Sequence, residues 1–482
     1  MSSGLVNKFL KASFWSASEQ IVFLVLSVIQ LGVTSRILTP IDFGVYAIAM
    51  FFSTLGSTAF SMGLGPALIQ KQGDISGYLN TTWTISFIVA VVSSFILAIL
   101  CPFICNFYYD SPESVWPSLV MLSSIILSAT TNPKIVLFIK ELNFKKQFLL
   151  RVLPRLFSFV LVIFFAFIFE SYWGLIVAIL CESIFRFIYS YTIIPYCPRF
   201  DFDKAKFKEL YSFGGWLQLK NIVNWLVSNV DVAIVGNVLG TAKLGLFNRA
   251  QSISSIPRTL INSVVDTVAF PLYSQLQTDK DKFNNAANTI LDLSQCIVSY
   301  LIVMVVLFGK EIVLLILGDS WGELVEPFIV LIISYSLQSL VFSFNPIIRA
   351  KGLTKYEFWF YIVKFLVMVI ALYPMAIFYG LLGVSYAILL SVFVAAPIML
   401  FIISKKTSYK LGHFLRNVIS SIFLIFITIL ISSIIIPENI GFLLVIYVIG
   451  VSMVFISLLF ILGKFNIGYG NNIKYIINLR MK

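Results

Sequence analysis

The amino-acid sequence predicts an all-α polytopic membrane protein with about 14 transmembrane helices, on three observations. Hydrophobic residues make up 59% of the 482 and charged residues only 12%, against about 45–50% and about 25% in soluble domains. Apolar stretches of about 20 residues, enough to cross a hydrocarbon core of about 30 Å, recur along the whole chain. Basic residues gather in alternate connections between those stretches. With a mean hydropathy of +0.96, a soluble fold of this length could not hide so much Phe, Ile, Leu and Val in one core.

Taken in order, the stretches fall at 13–35, 41–68, 79–104, 115–139, 148–169 and 172–194 in an N-terminal lobe, 1–205. A second lobe, 206–404, holds 211–237, 243–271, 284–308, 322–345, 356–378 and 381–403. The remainder, 405–482, carries 414–436, 441–463 and a cytoplasmic tail. The first stretch is too long for a signal peptide, contains Glu19 and lacks a small-residue cleavage site, so it is read as a span. The longest connections, about Pro195 to Leu210 and Gly309 to Trp321, leave no room for a soluble catalytic domain.

If the N-terminus is cytoplasmic, 24 of the 34 Lys and Arg fall in inner segments, three (Arg36, Lys243, Lys310) in outer loops and seven within spans. That asymmetry is a positive-inside signal, and it requires an even number of spans with both termini cytoplasmic. The net charge of +12 therefore reports topology rather than nucleic-acid binding. Five cysteines without a CxxC spacing give neither a disulfide framework nor a metal cluster. The single histidine, His413, lies in a basic connection, which argues against His-based metal sites and Ser/His/Asp catalysis. No GxxxxGK[ST] loop, zinc-hydrolase or lipidation motif occurs. No cofactor is therefore expected, and uphill work would draw on an H⁺ or Na⁺ gradient or the membrane potential.

An offset of 201 residues pairs Trp15 with Trp216, Leu38 with Leu239, Gly44 with Gly245, Tyr46 with Phe247 and Ala49 with Ala250, matching ILTPIDFGVYAIA to VLGTAKLGLFNRA. An offset of six spans makes the halves parallel repeats, with a substrate site expected between them. The same register sets Glu19 against Lys220, Gln20 against Asn221 and Gln30 against Asp231. Residues eleven apart differ by only about 20° around a helix, so Glu19 with Gln30, and Lys220 with Asp231, each share a face, and Asn224 joins the second. These stripes are expected to face each other; the alternative is that they glue helices together.

Ionisable groups at membrane depth cost roughly 2.5–3.5 kcal/mol each and mark cavities or partners. The embedded bases are Lys134, Arg155, Arg186, Lys220, Arg249, Arg258 and Lys364; the acids are Glu19, Glu182, Asp231, Asp266 and Asp292. Lys134 and Arg155 lie near the inner end and are expected to snorkel. Glu182 and Arg186, four apart, are expected to pair on one helix. Arg258 follows Pro257, with about 22 Å of helix between it and the outer end, so it either satisfies carbonyls freed by a kink or meets an anionic ligand. The candidate anion-binding set is Arg258, Arg249, Lys220 and Lys364, with Asn224 and Gln20 beside it. Asp231, Glu19, Asp266 and Asp292 are candidate coupling acids.

The chain resembles the Wzx-like oligosaccharide flippases for O-antigen or capsule repeat units, in the superfamily that also holds multidrug and toxin extrusion (MATE) proteins. The resemblance covers nearly the whole chain. It is carried by FWSASEQ at Phe14, SRILTPIDFGVYAIA at Ser35, GLGPALIQK at Gly63, FYYDSPE at Phe107, KELNFKKQ at Lys140, FPLYSQLQTD at Phe270, LILGDSW at Leu315 and YGLLGVSYA at Tyr379. Its most specific part is FGGWLQLKNIVNWLVSNVDVAIVGNVLGTAKLGLFNRAQSISSIP from Phe213. It implies two six-helix lobes in a V, MATE-like, with two further C-terminal helices, working by alternating access. It implies a substrate of oligosaccharide on undecaprenyl pyrophosphate, in the bacterial cytoplasmic membrane, beside a polysaccharide polymerase and chain-length regulator. By that resemblance Asp231 and Arg249 line the cavity.

The physics of such a substrate is consistent: each unpaired polar group in hydrocarbon costs several kcal/mol, so an oligosaccharide does not cross unaided. Guanidinium and ammonium groups suit a pyrophosphate, and Trp216, Trp225 and Phe247 are either sugar platforms or packing residues. The expected function is a lipid-linked oligosaccharide flippase and not an enzyme. The alternative is a gradient-driven drug or cation antiporter of the same fold, which would want a net acidic cavity.

Overall fold

A computed structural model describes the backbone of residues 3–59, 61–71, 73–141, 143–276, 279–407, 409–435 and 444–464. The expected tail beyond 464, and the side chains of Trp216 and Asp266, lie outside the described residues. All regular structure described is helical: α1 Ser3–Ile37, α2 Pro40–Ala59, α3 Leu64–Gln70, α4 Ser76–Phe103, α5 Val115–Ala129, α6 Val136–Lys140, α7 Phe144–Phe169 and α8 Trp173–Ile193. There follow α9 Lys204–Leu276, α10 Lys280–Leu317, α11 Val325–Phe342, α12 Asn345–Ala350, α13 Thr354–Lys406, α14 Leu411–Ile435 and α15 Leu444–Lys464.

Among the described residues 11 helices are long and apolar enough to cross a membrane, or 12 if the pair Pro112–Ala129 and Pro133–Lys140, bent by 61°, is one span. The expected count of about 14 is not reached by this measure. The shortfall has a local cause: α9 and α13 each run through a single residue of non-helical geometry, Gly240 (φ 82) and Gly380 (φ 58). Both fall in connections expected from the sequence, and a glycine alone adopts such φ values without a Cβ penalty. By contrast, Pro257 does not break α9, whose helical geometry continues through it.

The chain packs into two compact units, Met1–Arg249 with Ile316–Ser320, and Ala250–Leu315 with Trp321–Lys482. In the first unit α7 lies against both α1 and α8, and α5 against α2 and α4. In the second, α11 lies on α13, and Phe283, Phe344, Met399 and Phe414 join one core. Large apolar side chains cover the outside: Phe107 is 84% exposed and Ile434 79%. Lipid solvates such a surface, and closed helical hydrogen bonding leaves no backbone group unsatisfied in it.

Many hydroxyls inside the helices are satisfied by carbonyls of their own helix. Ser299 donates to the Gln295 carbonyl and Thr428 to that of Leu424, each at 2.7 Å, the bond back along the helix that lets Ser and Thr sit in hydrocarbon. At the ends of helices, charge does the joining. Lys71, after α3, bonds Glu209 near the start of α9, and Tyr78 donates to the same carboxylate at 2.7 Å. Lys71, and then Tyr78, hold the Glu209 carboxyl below its usual range.

In the second unit Arg349 of α12 grips Glu357 of α13 at 3.1 and 2.7 Å. Glu357 is only 4% exposed. Arg349→Ala would strand that carboxylate, and the expected loss is about 3 kcal/mol, the low end for a broken buried pair because Arg349 keeps some contact with solvent. A fall of several degrees in the thermal midpoint of the purified protein, partly restored by adding Glu357→Leu, is the expected reading. An unchanged midpoint would refute it.

Candidate functional site

The polar stripe of α1 meets α7 and α8 rather than α9. Glu19 accepts from Arg151 of α7 at 2.9 Å, and Gln30, three turns further, accepts from Arg155 at 3.0 Å. Arg155 also lies 3.7 Å from Glu182 of α8, which pairs with Arg186 at 2.5 Å. The expected local pair is present. The expected opposition of Glu19 and Gln30 to Lys220 and Asp231 is not, because α1 packs along α7 and turns that face to it. Arg155 is likewise engaged inside the unit instead of snorkelling. Gln20, one position from Glu19, is exposed.

On α9, Lys220 and Asn224 are exposed, whereas Asp231 is buried, with Oδ1 accepting from the Val232 amide at 2.8 Å. Trp225 donates to Thr54 Oγ1 at 3.2 Å and its ring lies 5.1 Å from Phe51; Phe247 is fully buried. Both are packing residues, not open platforms for a ligand.

Arg249 is different. It is 8% exposed, its guanidinium lies 3.4 Å from the centre of the Phe43 ring, and its Nε has no hydrogen-bond partner among the described residues. No carboxylate reaches it within 4 Å among those residues. A cation over an aromatic face is stabilised by the ring quadrupole, but less than by a counter-ion. Phe43 is held in place by close backbone approach: a Cβ on Gly44 would sit 1.9 Å from the Thr241 carbonyl oxygen, and one on Gly245 would sit 1.7 Å from that of Pro40.

In the second unit Arg258 donates to Gln338 at 3.2 Å and lies 4.3 Å over the Tyr335 ring, both on α11. Neither the kink-satisfying role nor a bare charge is therefore observed. Lys364 of α13 is 4% exposed. Asp292 of α10, 1% exposed, accepts from Asn417 at 2.6 Å and lies 3.0 Å from His413 Nε2, both on α14. The sequence reading put His413 in a connection; it stands instead in the first turn of a helix, four residues before Asn417, and that spacing was the overlooked signal. Gln338, Tyr335 and the pair Arg349–Glu357 were also missed, since nothing local marks them.

Five described carboxylates have partners: Glu19 has Arg151, Glu182 has Arg186, Asp292 has Asn417 and His413, Glu357 has Arg349, and Asp231 accepts from the Val232 amide. The arrangement leaves cationic rather than anionic character available for a ligand.

A family model described as polysaccharide biosynthesis protein matches residues 33–326, more than half of the chain. The lipopolysaccharide biosynthesis protein WzxC of Escherichia coli (strain K12) is 23% identical over 428 residues, 88% of this chain and 85% of that one. Among solved structures, the lipid II flippase MurJ in an inward-closed conformation superposes with a TM-score of 0.74 at 16% identity, covering 94% of this chain and 99% of its own. An inward-facing MATE-family multidrug transporter superposes with a TM-score of 0.63 at 15% identity over 78% of this chain and 93% of that one. The fold is therefore the MATE-like one.

Proposed function

Because the chain belongs to the family of polysaccharide biosynthesis proteins whose model it matches, we propose that it is a multi-pass membrane flippase that moves lipid-linked oligosaccharide between leaflets. It is a transporter, not an enzyme. The observation that carries the choice of substrate is Arg249, a buried guanidinium without a carboxylate partner among the described residues, whereas Glu19, Glu182, Asp292 and Glu357 each have a side-chain partner. An anionic headgroup suits that imbalance; a cationic drug would need the reverse.

The carrier is undecaprenyl pyrophosphate, whose phosphates a guanidinium or ammonium group recognises. Lys220 and Arg249 in the first unit, and Arg258 and Lys364 in the second, are the basic groups assigned to it, with Asn224 and Gln20 for the sugar. Asp231, Glu19, Asp266 and Asp292 are assigned to coupling, driven by an H⁺ or Na⁺ gradient or the membrane potential. Both termini are placed in the cytoplasm of a bacterium, at its cytoplasmic membrane, by the distribution of Lys and Arg. The product serves O-antigen, capsule or exopolysaccharide synthesis, alongside a polymerase and a chain-length regulator. Alternating access is the mechanism assigned to it.

The test is transport of polyprenyl-pyrophosphate oligosaccharide across liposomes reconstituted with the full chain, with and without pH or Na⁺ gradients. Lys220→Ala is expected to slow it about tenfold, the worth of one charge-assisted hydrogen bond. Arg258→Ala should cost less, since Gln338 and Tyr335 already occupy that guanidinium. No transport by the wild-type protein would reject the function; equal rates in all three would reject the assigned residues.

A further inference from the structure

The first unit holds a cavity of about 310 Å³ lined by α2, α3, α4, α5 and the bend into α6, and none of the residues discussed so far for the anionic headgroup lines it. Its volume is at the lower end of the range of about 300–1,000 Å³ found for small-ligand pockets. Its wall is mainly apolar, and hydroxyls make up most of its polar side chains. Thr82, Ser86 and Ser93 project from α4 and Ser128 from α5, with Trp83 beside them. Positions 82, 86 and 93 are spaced by four and eleven, so they share one helix face. No described lining residue carries a charge.

That lining selects its ligand by exclusion. An ion would shed its hydration with no counter-charge to replace it, and an alkyl chain would leave the Thr82 hydroxyl unpaired. Each Ser or Thr hydroxyl offers one donor and two acceptor positions, the same inventory as a sugar hydroxyl. Trp83 is fixed in orientation by donating to the Thr130 carbonyl at 3.2 Å and to Tyr191 at 3.0 Å, and by stacking on Phe87 at 5.6 Å. A second observation bears on ligand binding directly. Thr82 is 5% exposed and its Oγ1 has no hydrogen-bond partner among the described residues, whereas the other buried hydroxyls noted above bond back to their own helix. A buried hydroxyl left unmatched is destabilising, and a ligand hydroxyl would offset that cost.

We propose that this cavity is a saccharide subsite, taking an uncharged polyhydroxylated ring and reading the sugar end of the cargo apart from its pyrophosphate. The inference rests on the flippase reading above and adds a source of sugar selectivity that the charged residues cannot supply.

Two variants isolate it. Thr82→Val keeps the shape and removes the hydroxyl. Gly65→Leu fills the space, since a Cβ on Gly65 meets nothing within 4 Å. The probe is the reducing oligosaccharide freed by mild acid from the producing strain's polyprenyl-pyrophosphate pool. Its binding to the full chain in lipid nanodiscs is measured by titration calorimetry, beside transport of the intact lipid-linked form. The wild-type protein is expected to bind the free saccharide, and each variant to bind it about tenfold more weakly, with the thermal midpoint of Thr82→Val unchanged or raised. Absence of binding by the wild-type protein overturns the proposal, as does wild-type affinity in both variants, which would make the cavity a water-filled void. Binding without transport would sink the flippase reading and leave the subsite standing; transport without binding would do the opposite.

Discussion

Gly245→Ala is expected to reduce transport to background and to lower the thermal midpoint, more than any other single methyl addition in the first unit. The added Cβ would lie 1.7 Å from the Pro40 carbonyl oxygen and 2.8 Å from the Gly44 nitrogen. Ordinary contact begins at 3.4 Å, so the backbones must part by about 1.7 Å (3.4 minus 1.7). Both obstacles are main-chain atoms, which cannot rotate aside as a side chain would. Overpacking a core ordinarily costs about 1–3 kcal/mol, and a clash with backbone lies at or beyond the top of that range. Gly44→Ala should behave alike, its Cβ standing 1.9 Å from the Thr241 oxygen. Gly412→Ala, where a Cβ meets nothing within 4 Å, is the control expected to be silent. The two measurements are transport in liposomes and the midpoint of the same preparation. Wild-type values for Gly245→Ala in both would show that the segments around Pro40 and Thr241 do not need their close approach.

Replacing Arg249 separates function from folding by opposite signs. Arg249→Met removes a buried charge that has no ion-pair partner among the described residues and leaves an apolar side chain on Phe43. Burying an unpaired charge costs several kcal/mol, so its removal should leave stability unchanged or raise it. Transport should nevertheless fall about tenfold to a hundredfold, the worth of a charge-assisted bond to a phosphate oxygen. Arg249→Lys should also be impaired, because an ammonium neither covers the ring face nor bonds two oxygens at once. A variant that transports normally but melts earlier would reduce Arg249 to a structural cation–π contact.

Several features were legible in the sequence because they depend on local spacing. The pair Glu182–Arg186 follows from an interval of four on one helix. The turns at Gly240 and Gly380 follow from short breaks in otherwise apolar runs. The match of Gly44 to Gly245 follows from an offset of 201, although not its consequence. In the structure Gly44 meets Thr241 and Gly245 meets Pro40, so each glycine touches the repeat counterpart of the other's neighbour.

What the sequence determined by itself is the class of protein: lipid-solvated helices, a repeated half, basic residues sorted by connection, and an embedded set of charges. Composition and period suffice for these because each reports the average surroundings of a segment. Only the tertiary structure decided which charge meets which partner. Glu19 and Arg151 are 132 residues apart, Asp292 and Asn417 are 125 apart, and the cavity of the first unit draws on four helices and the bend that follows α5. A helix bathed in lipid is apolar on every side, so its hydrophobic pattern does not point toward a neighbour. Packing of small residues and complementary shapes fixes its rotation instead, and with that rotation the identity of each polar contact.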